Sequence, residues 1–242
     1  MLKKEDIMKI SEKIDKQKIM IASLLVTIGV ICRITLHDFF NSINNPFTDY
    51  GFFDVFFIIA IISIFSGILL GKYYVFIIPI CVIVITDIFY GIVDPINAAL
   101  WSTWLFLFTT TGYVFIALLG LYTRRKSKFD MTFIPKILGT GIIGIIIYDL
   151  WTNFGFWLGY SKLGFYPQTF EGLITVFIGG IPFMIWHILS FSLLLTIISI
   201  PLIHYKEISI FSYRNILNPT DKVYILSATL ILMTVSVITA LI

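Results

Sequence analysis

Residues Gly67–Gly91 read GILLGKYYVFIIPICVIVITDIFYG. An apolar run ends here in a two-residue turn, Gly71-Lys72, and a second apolar run of about 20 residues starts at once. A stretch of that length and composition suffices to cross a bilayer as a helix. One carboxylate, Asp87, interrupts it near its far end. The pattern is that of a helical hairpin in lipid, with a single cation at the turn and a single acid inside a span.

The same pattern extends over the chain of 242 residues, which is 58% hydrophobic and only 13% charged. Soluble domains carry about 25% charged residues. So little polar surface excludes a disordered chain, a fibre and a disulfide scaffold, and argues against a water-soluble globule. The expected fold is all-α, a polytopic transmembrane bundle with six core helices and a seventh at the C-terminus. The spans are expected at Ile19–Leu36, Phe52–Leu70, Tyr73–Ile92, Ala98–Tyr122, Phe133–Trp157, Leu173–Ile203 with Pro182 inside it, and Val223–Ile242. Four regions follow: a polar segment 1–18, a six-helix membrane domain 19–203, a loop 204–222 and an additional helix 223–242. In the first region Ile7, Ile10 and Ile14 recur at helical spacing. It reads either as an amphipathic helix on the membrane surface or as a solvated charged tail. No secretory signal peptide is expected.

Charge sets the orientation. With the N-terminus in the cytoplasm, 15 of the 17 basic residues lie inside, Arg33 and Lys162 being the exceptions. A multi-pass cell-membrane protein with a cytoplasmic N-terminus is therefore expected, with outer loops at His37–Gly51 and Leu158–Gly172. Cys32 and Cys81 lie in apolar runs and read as inert buried thiols.

Ionisable groups inside spans are costly and mark functional candidates. Arg33, Asp87 and Asp149 fall toward the outer ends of their spans, Asp54 starts the second and Glu171 precedes the sixth. Asp87, Tyr90, Gly91 and Asp94 share one helix face, as do Asn97, Trp101, Trp104 and Phe108, and Asp149, Thr152, Asn153, Phe156 and Trp157. Aromatic walls with a few convergent polar groups describe a small-molecule pocket opening outward. Other readings stand beside this one. Trp and Tyr also serve as interfacial anchors, Arg33 can snorkel, an Arg–Asp pair can simply pin helices, and His187 suits a hydrogen-bonded core histidine.

Several chemistries lack their motifs. There is no P-loop lysine, no HExxH, no GxSxG elbow and no paired acidic cluster for prenyl transfer. The last span holds no lysine for a retinal Schiff base. No cofactor, no metal and no nucleic-acid partner is expected.

Three stretches carry a family resemblance. Gly67–Gly91 resembles the second-to-third helix hairpin of the S components of energy-coupling factor transporters. Asn153–Phe183, NFGFWLGYSKLGFYPQTFEGLITVFIGGIPF, is similar to their fifth loop and sixth helix, and Asn45-Pro46-Phe47 fits their first outer loop. The resemblance covers roughly Ile19–Ile203. It implies a membrane subunit that captures a vitamin-like solute from outside and passes it to a coupling membrane subunit and ATPase subunits. It matches Arg33, Asn45, Asp87, Asn153, Tyr166 and Pro167 to family positions. Such subunits often carry a small-residue AxxxA patch on the first helix; here its nearest equivalent is Ala22-Ser23 with Thr27. The expected substrate-binding set is Arg33, Asn45, Asp87, Tyr90, Asn97, Trp101, Trp104, Asp149, Asn153, Trp157 and Tyr166, with Trp151 stacking nearby and no catalytic residue. The alternatives are a membrane enzyme acting on a lipid or isoprenoid through Asp87 and Asp149, or a structural membrane protein without a ligand.

Overall fold

The computed structural model describes residues 4–42, 56–93, 103–127, 130–204 and 219–242. Among them there is no strand, and seven helices follow one another: α1 Lys4–Ser42, α2 Phe56–Phe65, α3 Tyr74–Val93, α4 Thr103–Lys126, α5 Phe133–Lys162, α6 Phe170–His204 and α7 Pro219–Leu241. Six of them are long and apolar enough to cross a membrane. This is the all-helical polytopic bundle that the composition called for.

α2 is the centre of the bundle. Its described apolar part is Phe57–Leu70, and every residue from 58 to 71 is buried. It packs against α1, α3, α4 and α6. A helix that is hydrophobic all round has no polar face to offer water, so it goes to the middle of a bundle. Its crossing with α4 is close because small residues meet there. A Cβ on Gly67 would strike the carbonyl oxygen of Ala117, and one on Gly120 would strike that of Ile64. α2 ends in a π-helical turn, Ser66–Leu70, closed by the Gly71 amide donating to the Ser66 carbonyl at 2.8 Å. Gly71 and Lys72 take positive φ, 67° and 48°, and the chain reverses directly into α3.

α4 and α5 run antiparallel in a large-on-small register. Trp104 lies over Gly159, Phe108 over Gly155, and Tyr148 over Gly112. The register continues to α6, where Phe191 covers Gly141 and Gly180 meets the Asn153 side chain. α7 closes on α4 and α5, with a Thr111–Ser236 hydroxyl bond of 3.1 Å to α4, and its first turn reaches the α2–α3 turn through a Lys72–Asp221 ion pair of 3.8 Å.

Several boundaries differ from the sequence expectation: α1 runs on to Ser42, six residues past Leu36 and into the expected outer loop His37–Gly51, α4 ends at Lys126 rather than Tyr122, and α7 starts at Pro219 rather than Val223. α1 is helical without a break from Lys4 to Ser42, so the backbone of the polar first segment continues the first span instead of forming a separate helix. α5 runs five residues past Trp157, to Lys162. A Schellman-type end stops it: Gly164 takes φ 81°, its amide donates to the Ser161 carbonyl at 3.1 Å, and Phe165 donates to Tyr160 at 3.2 Å. The expected loop Leu158–Gly172 thus shrinks to the seven residues between α5 and α6. Asp149 in turn lies near the middle of its helix rather than near its outer end.

Candidate functional site

Two charged clusters sit inside the bundle. The first joins α1 to α3, in the part of the bundle away from the basic turn at Lys72. Arg33 Nη1 donates to Thr86 Oγ1 at 2.5 Å and lies 3.3 Å from Asp87 Oδ1. Thr86 passes its own proton back to the Val82 carbonyl at 2.8 Å, and the Tyr90 hydroxyl donates to the Arg33 carbonyl at 3.4 Å. Residues 86, 87 and 90 present these groups together because they fall within one helical turn. The Arg33 side chain is 13% exposed and that of Asp87 38%. The cation is therefore enclosed while the carboxylate stays partly open.

The second cluster joins α5 to α6. Asp149 Oδ1 and His187 Nδ1 are 2.9 Å apart, and both side chains are buried. The Tyr148 ring stands edge-on to the imidazole at 6.3 Å and packs on Tyr113 at 4.8 Å. A charge at this depth is tolerable only with such a partner.

Above this pair, toward the α5–α6 connection, aromatic rings interlock. Trp104 meets Tyr160 edge-on at 5.3 Å, Tyr160 packs on Phe156 at 4.3 Å, and Phe156 meets Tyr166 at 6.0 Å. The Trp157 indole donates to the Pro167 carbonyl at 3.1 Å, which ties the connection back onto α5. Asn153 is half-buried, its amide laid on the main chain of Gly180.

The expected binding set is thereby divided. Arg33, Asp87 and Tyr90 come together on α1 and α3. Asn153, Trp104, Trp157 and Tyr166 gather at the α4–α5–α6 end. Asp149 joins neither group and pairs with His187. Asn45, Asn97 and Trp101, together with Asp54 and Asp94, lie outside the described residues. Asp87 and Asp149 each hold a different basic partner on a different helix pair. Thr86, which adjoins Asp87, lies outside the expected set. By sequence His187 reads as a hydrogen-bonded core histidine, and its link to Asp149 spans 38 positions with no local signal. Among the described residues no group of three His, Cys, Asp or Glu side chains could hold a metal ion.

Residues 13–206 match the model of a family of unknown function, DUF6580. The match covers most of the chain, from α1 through α6, and the chain belongs to that family. α7 lies beyond the matched residues. No curated protein and no solved structure matches the chain.

Proposed function

We propose that this member of DUF6580 is the substrate-capture subunit of an ATP-driven uptake transporter. It would lie in the cell membrane with its N-terminus and basic turns in the cytoplasm and take a small, vitamin-like solute from the other side. The observation that carries the reading is the Arg33–Asp87 cluster. Here Arg33 is enclosed and held by Thr86, while Asp87 keeps an open side, so a further polar group has a charged partner to meet. The aromatic end of α5 and the half-buried Asn153 amide supply the kind of wall and polar anchor that a solute pocket uses. The resemblance of Gly67–Gly91 and Asn153–Phe183 to S components supports the same reading. The chain itself would perform no chemistry; ATP hydrolysis would belong to separate subunits reached through a coupling membrane protein.

Native mass spectrometry of the purified chain tests this. A co-purifying small molecule is expected in the wild type and absent from Asp87→Asn and Asn153→Ala, with melting temperatures close to wild type. Solute occupancy unchanged in both variants would overturn the assignment. Turnover of a lipid substrate by the chain alone would replace it with the enzyme reading.

A further inference from the structure

A recess of about 510 Å³ opens on the side of the bundle between α4, α5 and α7, lined by Phe115, Leu118, Ile147, Leu150, Phe154 and Met233, together with Leu119 and Trp151. Every lining side chain is apolar apart from the indole nitrogen of Trp151. Leu150 is half-exposed at its rim. The recess lies at the level of the Thr111–Ser236 bond, midway along α4. In a chain that spans the bilayer this is the depth of the hydrocarbon. The volume falls within the range of ligand pockets, about 300–1,000 Å³. A polar solute would find almost nothing to bond, and a whole helix, about 10–12 Å across, needs more room.

The two walls continue toward the basic end of the bundle, and both finish in a cation. On α4, steps of three and four residues lead from Phe115 through Leu118 and Tyr122 to Lys126. Tyr122 is exposed, and Lys126 Nζ stands 5.8 Å from its ring centre. Leu118 and Lys126 are separated by about 12 Å of helix rise. On α7, Met233 leads back through Leu230 and Leu226 to the exposed Lys222. The neighbouring Asp221 is engaged by Lys72. Hydrocarbon-lined recess, tyrosine, then lysines is the order of acyl chain, glycerol region and phosphate in one phospholipid leaflet.

We infer that the α4–α5–α7 recess binds one anionic phospholipid from the leaflet at the basic end, with an acyl chain between the helices and the phosphate at Lys126 and Lys222. This site is separate from the solute cluster at Arg33 and does not depend on the transport reading.

The test uses the full chain, delipidated in mild detergent and then offered phosphatidylglycerol or phosphatidylcholine with matched chains. Native mass spectrometry should show one retained phosphatidylglycerol, favoured about tenfold over phosphatidylcholine. Leu150→Trp, which fills the recess from its exposed rim, should abolish retention of both. The double variant Lys126→Gln/Lys222→Gln should keep a bound lipid and lose the headgroup preference. Melting temperatures report whether each variant keeps its fold. Equal retention of the two lipids by the wild type, or retention untouched by Leu150→Trp in a folded variant, would overturn the proposal.

Discussion

Asp87 and Asp149 are the same side chain carried into the same bundle, and their neighbours give them different characters. Asp87 shares Arg33 with Thr86 and stays partly open, whereas Asp149 is enclosed against His187. Asp149→Leu should remove His187's hydrogen-bond partner and cost about 1–3 kcal/mol of stability. A double-mutant cycle with His187→Leu, read by thermal melting, should show the two losses overlapping; strict additivity would deny the coupling. Ser63 offers the opposite case. Its hydroxyl is fully buried on α2 and has no hydrogen-bond partner among the described residues. Burying an unsatisfied hydroxyl costs on the order of 1–3 kcal/mol, so Ser63→Ala should raise the melting temperature. The sequence singled out both acids, since a carboxylate in an apolar run stands out. It could not assign His187 to Asp149, because that choice depends on how α5 and α6 align.

At the scale of the elements, hydropathy located every helix among the described residues, and errors gathered at their ends. The stretch Leu158–Lys162 reads as the start of a loop because Gly159 and a lysine interrupt the apolar run. Packing overrides that signal: Gly159 is where Trp104 seats on α5, and Gly164 supplies the left-handed residue that ends the helix. Gly164→Ala should therefore cost about 1–2 kcal/mol through backbone strain alone, since nothing lies within 4 Å of an added Cβ. Gly67 sits in the reverse situation. Its added Cβ meets the main chain of α4, which cannot rotate away, so Gly67→Val should loosen the α2–α4 crossing and lower the melting temperature far more than Gly164→Ala does. Comparable losses in the two variants would contradict this contrast. The sequence gives no sign that α2 is central among the spans; that place follows from the four helices surrounding it.

For the molecule as a whole, the uneven distribution of lysine and arginine makes a directional prediction. A cysteine at Leu163, in the α5–α6 connection, should react with a membrane-impermeant maleimide on intact cells. A cysteine at Ser127, beside the α4 terminus, should react only after permeabilisation. The native Cys32 and Cys81 are only partly exposed and serve as the background control. The reverse labelling pattern would invert the bundle and, with it, the side from which a solute enters. The sequence by itself determined that the chain is a membrane bundle, roughly where its helices lie and which acids need partners. Those properties are sums over local composition, and a window of some twenty residues contains them. Only the tertiary structure decided that α2 is the core, that Asp149 belongs to His187 and not to the Arg33 cluster, and that α4, α5 and α7 leave a recess between them. These depend on the register in which glycines on one helix receive large side chains from the next. That register is fixed by contacts between residues far apart in the chain.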